Sequence, residues 1–279
     1  MPFRASWTQK QLADEIAERR KDLDLSIRDV AEQTGWQNSK VSRMENCVTK
    51  VTSADVRALA SVYGLSDADV DRLSEMARDA ITDAWWKRYE RWLTASFVEF
   101  LAYENEAARA WSVQQMFVPG LLQTPEYITS ILEVGPLRDP GRNDAEYEVR
   151  LRRQRRLHSE ADPLVLTALI AESVLHWQIG GKDVLIGQLK HFCELAAKDN
   201  VQIRVVPFER PVSIYPIDLF EPVSGQGVAF SEASWGTPMY DDPMDVRETR
   251  REIARVEAAA LSEEETVELI EQRIRELTR

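Results

Sequence analysis

The chain has 279 residues, 44% hydrophobic and 29% charged, with a net charge of -12. That length suits two domains rather than one small one, and the acid excess argues against indiscriminate coating of nucleic acid, because phosphate contacts draw on Lys and Arg. No apolar run approaches the roughly 20 residues that span a bilayer, the opening MPFRASWTQKQ lacks a secretory apolar segment, and Cys47 and Cys193 support neither a disulfide framework nor a zinc ribbon, so a soluble cytoplasmic protein without metal or cofactor is expected.

In chain order, the first predicted helix is Gln9 to Lys21, with Leu12, Ala13 and Ile16 inward. Ile27, Val30 and Ala31 recur at i, i+3, i+4, which puts them on one buried face of a helix from about Ser26 to Thr34. Ser26 is the expected N-cap, and Asp29 completes a capping-box-like pair. Gly35 ends this helix, since glycine takes the left-handed conformation of a sharp turn without steric cost. A second helix follows from about Asn38, with Val41 and Met44 inward. Asn38, Ser39, Lys40, Ser42 and Arg43 are left on its outer and leading surfaces. Asn and Arg suit bidentate contacts with adenine and guanine edges, while Ser and Lys reach bases or phosphates. The candidate DNA contacts are therefore Arg28, Gln37, Asn38, Ser39, Lys40, Ser42, Arg43 and Lys50. Residues 1–53 hold nine Lys and Arg against eight Asp and Glu, so the acid lies mainly later in the chain. Ala54–Tyr63 and Asp67–Ala77 supply two more helices, with Val56, Leu59, Ala60 and Val70, Leu73, Ala77 as buried stripes.

Ala31, Gly35, Val41, Ser42 and Arg43-Met44-Glu45 together resemble the repressor and Cro-type helix-turn-helix domains of the XRE class. The resemblance implies a five-helix bundle over roughly residues 8 to 80, its second helix crossing the DNA backbone and its third in the major groove. Two positions depart from the pattern. Ile27 stands where many relatives carry Gln, and Cys47 stands where they carry Gly, so Asn46 becomes the candidate left-handed residue after the third helix.

Beyond residue 80 aromatics gather, and Trp85, Tyr89, Trp92, Leu93, Phe97, Phe100 and Leu101 fall at helical spacings, which predicts a helix docking its stripe into a core in preference to an aromatic ligand cage. In FVPGLLQTPEY, Pro119-Gly120 favours a turn, and Thr124-Pro125 reads as an N-cap with proline at the first helical position, opening a helix through Tyr127 and Ile131. Leu164–Ile170 suits a buried strand, although its leucines leave a helix open, Val184–Lys198 reads as a helix and Val201–Pro207 as another strand, an order that favours a right-handed crossover and a small mixed sheet. Leu219–Val223 and Gly227–Ser231 add antiparallel strands across the SGQG turn. Two helices close the chain, Val246–Leu261 and Ser262–Leu277, with Ser262 and Glu265 as a capping box.

The FVPGLLQTPEY run, Trp85-Trp86, Arg153-Gln154-Arg155-Arg156-Leu157, Glu172-Ser173-Val174-Leu175, Gln188-Leu189 and Val205-Val206-Pro207-Phe208 resemble a family of actinobacterial XRE-type regulators. In that family a large C-terminal domain of uncharacterised function follows the helix-turn-helix, and the proteins are described as antitoxin-like and often encoded beside a small partner protein. The expected fold class is α+β, with an all-α helix-turn-helix domain at 1–80 and a mixed α/β domain at 81–279 built on a small sheet with terminal helices.

No catalytic centre is predicted. His158, His176 and His191 lack metal-ligand spacing, and His191 and Cys193 point about 200° apart on a helix. Glu172 and Glu232 are read as strand-end or salt-bridge residues before a buried acid pair. The Arg150–Arg156 cluster is expected to pair with flanking Glu146, Glu148, Glu160 and Asp162 rather than with nucleic acid. The leading expectation is a sequence-specific regulator that binds double-stranded DNA as a homodimer, with the C-terminal domain responding to a small-molecule effector or a small partner protein. The alternatives are an antitoxin-like interaction protein and a small-molecule sensor whose pocket is lined by Trp111, Trp177, Trp235 and Tyr240.

Overall fold

A computed structural model describes residues 7–79, 85–135, 139–223, 225–232 and 236–279. They fall into two compact units, Met1–Lys87 and Arg88–Arg279, against an expected division at residue 80.

The N-terminal unit holds five helices: α1 (Trp7–Asp22), α2 (Ile27–Thr34), α3 (Asn38–Glu45), α4 (Ser53–Tyr63) and α5 (Asp67–Asp79). Leu12, Ile16, Val30, Ala31, Val41 and Met44 meet Val56, Leu59, Leu73 and Ala77 in one core. Ala60 and Val70, expected inside, are only half-buried, because α4 and α5 turn them toward the rim of their stripes. Capping boxes start α2 at Ser26 with Asp29 and α4 at Thr52 with Asp55, satisfying first-turn N–H groups that have no partner within the helix.

The C-terminal unit is a six-stranded mixed sheet with helices. The strands are β1 (Arg109–Gln114), β2 (Val165–Ala171), β3 (Val201–Val206), β4 (Ile217–Glu221), β5 (Val228–Ser231) and β6 (Met239–Tyr240), in spatial order β3-β2-β1-β4-β5-β6. β1, β2 and β3 run parallel, whereas β4, β5 and β6 continue antiparallel from β1. The helices are α6 (Ala95–Glu106), α7 (Pro125–Val134), α8 (Pro140–Gln154), α9 (Lys182–Ala196), α10 (Pro243–Ala259) and α11 (Glu263–Thr278).

On one sheet face, Val113, Leu169, Val206, Leu219 and Ala229 pack with Val246, Ile253, Val256 and Ala260. On the other, Phe100 of α6 meets Phe220 and Phe230 edge-on, with ring centroids 5.0 and 5.3 Å away. The aromatic stretch is not one helix. Thr94 caps α6 by accepting from the Phe97 N–H at 3.2 Å, and residues 85–93 ahead of it form turns with a short 3-10 segment at Lys87–Tyr89.

Side chains fix the FVPGLLQT segment in place. The fully buried Gln188 of α9 accepts from the Thr124 N–H at 2.8 Å and donates to the Leu122 carbonyl at 2.7 Å. Gln154 of α8 donates to the carbonyls of Gly120 and Gln123 at 3.1 and 2.8 Å, and Gln123 donates to Val118 at 2.8 Å. Each satisfies backbone that the turn leaves without a ladder.

Candidate nucleic-acid interface

The turn between α2 and α3 depends on Gly35, at φ 71°, ψ 21°. A Cβ there would meet nothing within 4 Å, so the left-handed backbone alone selects glycine. Trp36 donates its N–H to the Ala31 carbonyl at 2.8 Å, which closes the end of α2 and aims the chain into α3.

α3 buries Val41 and Met44 and shows Asn38, Ser39 and Arg43 to solvent, with Gln37 exposed at the N-cap position. Gln37 makes no side-chain cap bond. Among the described residues, the side chains of Asn38, Ser39 and Arg43 form no hydrogen bond or ion pair within the unit, so they are free to meet a ligand. Ser42 is half-buried and engaged by Asn46, whose amide donates to the Ser42 carbonyl at 2.7 Å.

Other candidates are already occupied. The Lys40 ammonium lies 2.6 Å from Asp55 and 3.7 Å above the Trp36 ring, which ties α3 to α4. Burial pushes the Asp55 carboxyl up, but hydrogen bonds from Lys40 and Thr52 outweigh it and leave the group below its usual range. Arg28 pairs with Glu32 at 2.7 Å, and both are largely exposed, so the pair is weak and Arg28 can exchange it for a phosphate. Lys50 is exposed in the loop before α4.

Two residues that position α3, Arg20 and Gln9, carry no signal in the local sequence. Arg20 of α1 donates to both Glu45 oxygens at 2.7 and 2.9 Å and to the Leu25 carbonyl at 2.9 Å, binding the end of α3 to the α1–α2 turn. Buried Gln9 accepts from the Val51 N–H at 3.0 Å and donates to its carbonyl at 3.2 Å, imitating a strand partner for the loop after α3. Glu45 belongs to the helix-turn-helix signature, and its partner Arg20 lies 25 positions away.

Asn46 is not the left-handed residue. It lies at φ -93°, ψ 15°, and Cys47 takes φ 51°. Its Sγ also approaches the Gln9 carbonyl at 3.6 Å, and burial pushes the thiol up to about 11. Cys47 thus fills the backbone role that the resemblance gave to glycine.

Residues 97–272 match the family described as a domain of unknown function (DUF5753). The chain belongs to the DUF5753 family. Residues 11–73 match a helix-turn-helix domain, which spans α2, α3 and their supports and marks this DUF5753 protein as a DNA-binding regulator. No curated protein and no solved structure matches the chain.

Within the DUF5753 unit, the Arg150–Arg156 cluster is largely turned inward. Arg153 forms a bidentate pair with Glu104 at 2.7 and 2.6 Å, a partner on α6 that flanking sequence did not suggest. Arg150 pairs with Glu146, and Arg156 reaches Asp162 and the Ala107 carbonyl. Glu172 accepts from the Phe208 N–H at 2.8 Å while Glu232 is exposed, so they are not an acid pair. His191 lies 3.4 Å from Glu194, and burial pushes the Cys193 thiol up. Among the described residues no group of three His, Cys, Asp or Glu has the arrangement of a metal site, and no helix is long and apolar enough to cross a membrane.

Among the described residues, Trp111, Trp177 and Tyr240 do not line one pocket together. Trp111 packs at the edge of the sheet core, Trp177 stands edge-on to Phe117 at 5.8 Å, and Tyr240 lines a separate cavity. Trp235 lies outside the described residues.

Proposed function

We propose that this protein is a cytoplasmic, sequence-specific transcriptional regulator that binds double-stranded DNA as a homodimer, with the DUF5753 unit responding to an effector or partner and carrying no catalysis. The observation that carries the reading is the set of exposed, unengaged polar side chains at Gln37, Asn38, Ser39 and Arg43 on a helix anchored from behind by Arg20–Glu45 and Lys40–Asp55. Polar groups held on a fixed helix lose little freedom on meeting base edges, which favours selective binding over loose phosphate attraction. One eight-residue helix touches few base pairs, so two copies on half-sites about 34 Å apart supply the affinity that the acidic chain lacks elsewhere. The test is selection of duplexes from a random pool with the full chain: a pseudo-palindromic enriched sequence supports the reading, and an unenriched pool contradicts it.

A second reading, an antitoxin-like interaction protein that holds a small partner, is favoured by an exposed aromatic group past the ends of the parallel strands. Phe208 is 61% and Trp177 43% exposed, with His176 5.7 Å from the Phe208 ring. Large apolar side chains gathered in water mark contact surfaces more often than scattered ones do. Stoichiometric co-purification of a small protein that is lost on Trp177→Ala or Phe208→Ala would select this reading.

A further inference from the structure

A cavity of about 290 Å³ opens between α10 and the sheet. Its floor is apolar, built from Val113 of β1, Ile217 of β4, and Ile253 and Val256 of α10. Two phenols flank it, Tyr215 from the segment before β4 and Tyr240 of β6, 70% and 37% exposed. The wall supplied by α10 includes Asp245, Glu248, Thr249, Glu252, Ile253 and Val256, spaced as one helical stripe, so three carboxylates stand above the apolar floor. No Lys, Arg or His lines it among the described residues.

The carboxylates are not neutralised by strong internal partners. Asp245 makes no ion pair or side-chain hydrogen bond among the described residues. Glu248 and Glu252 meet Arg251 and Arg255 at 2.6 and 3.0 Å, pairs three residues apart on the same helix with both members more than half exposed. Such pairs contribute little and exchange readily.

We propose that this cavity is the effector site of the DUF5753 unit and that it takes a small organic cation, a protonated or quaternary amine carried on an apolar body. The apolar part occupies the floor over Ile217 and Ile253, where its burial drives binding. The cationic head lies among Asp245, Glu248 and Glu252 and against the faces of Tyr215 and Tyr240, an arrangement that attracts an ammonium through both charge and ring quadrupole. A neutral ligand of the same shape gains only the floor, and an anion is repelled by the rim. The inference rests on the proposed effector response of the C-terminal unit and gives it a ligand class.

The test is calorimetry on the full chain, without DNA and at low salt, with 4-phenylbutylamine, 4-phenylbutan-1-ol and 4-phenylbutyrate, three probes that share one apolar body. The amine is expected to bind about tenfold or more tightly than the alcohol, with the carboxylate weakest. The combined variant Asp245→Asn, Glu248→Gln, Glu252→Gln, which alters only an exposed helix face, is expected to keep its melting transition and to bind the amine no better than the alcohol. Equal binding of the three probes, no binding of the amine at millimolar concentration, or undiminished amine binding by the variant overturns the assignment. Binding of a Leu- and Arg-rich peptide without binding of the amine also overturns it, in favour of a protein partner. Because DNA is absent, failure of the chain to recognise an operator leaves this result intact, and the two proposals fail separately.

Discussion

The Arg20 guanidinium holds both carboxylate oxygens of Glu45, at 2.7 and 2.9 Å, with the two side chains only 14% and 7% exposed. This pair sets the tilt of α3 from its C-terminal end, while Lys40–Asp55 fixes it from α4. Glu45→Ala leaves the Arg20 charge enclosed and without its partner, so a loss of about 2–4 kcal/mol is expected. Hydrogen exchange over residues 7–79 is the direct measure. Protection should fall in α1 and α3 together, and a loss confined to α3 would mean that the pair does not couple the helices.

Cys47 carries a side chain at φ 51°. Replacing it by Gly removes a left-handed cost of about 1–2 kcal/mol, opposed by the greater freedom of glycine in the unfolded chain and by the lost Sγ contact with Gln9. Cys47→Gly is therefore expected to be neutral or mildly stabilising. Cys47→Val, branched at Cβ, is expected to destabilise the unit by about 1–2 kcal/mol. Thermal melting of both variants checks the order, and Val equal to or better than Gly would rule out this backbone account.

Asp218 of β4 lies opposite Ser112 of β1 and is half-buried near Glu104, Arg153 and Glu232. Burial pushes its carboxyl up to about 7, against the Ser112 hydrogen bond and the Arg153 charge, with Glu232 and Glu104 adding to the rise. A carboxyl with a raised folded-state value binds a proton more tightly folded than unfolded, so stability falls as pH climbs from about 4 through 7. Asp218→Asn is expected to be nearly neutral at pH 4 and stabilising on the order of 1–2 kcal/mol at pH 8, after allowance for partial solvent access. Urea titrations at the two pH values decide it, and equal effects at both would remove Asp218 as the source.

The N-terminal unit was legible because its signals are local. Ser26, Asp29 and Gly35 announce their turns within a few residues, and Val41 with Met44 gives the buried face of α3 directly. Gln9 was not legible, since its two bonds to Val51 cross 42 positions and a lone glutamine in a helix looks like a surface residue. In the C-terminal unit, VQIRVVP is readable as a strand from its β-branched content, whereas the leucines of LVLTALI suit a buried strand or a helix. Central β1, RAWSVQ, carries no local strand signature. Ser112 and Gln114 are buried polar residues there, so the strand shows neither a continuous apolar run nor a clean alternation. Arg153 was placed in the correct kind of pairing but with the wrong partners, because Glu104 is 49 residues away. Of the candidate DNA contacts, sequence gave no means to separate Asn38 and Arg43, which are free, from Lys40, which is held by Asp55 and Trp36.

On the proposed function, the exposed face of α3 reads base edges. The most direct measurement is anisotropy titration of a duplex selected from a random pool, with the native chain and with Asn38→Ala, Arg43→Ala and Lys40→Met, over a range of salt. Asn38→Ala and Arg43→Ala are each expected to lose about 1–3 kcal/mol on the selected site and to relax base choice at one position. Lys40→Met, whose ammonium is committed to Asp55, is expected to change the salt slope little while lowering the melting temperature. Unchanged affinity and base preference in both Asn38→Ala and Arg43→Ala would contradict the account.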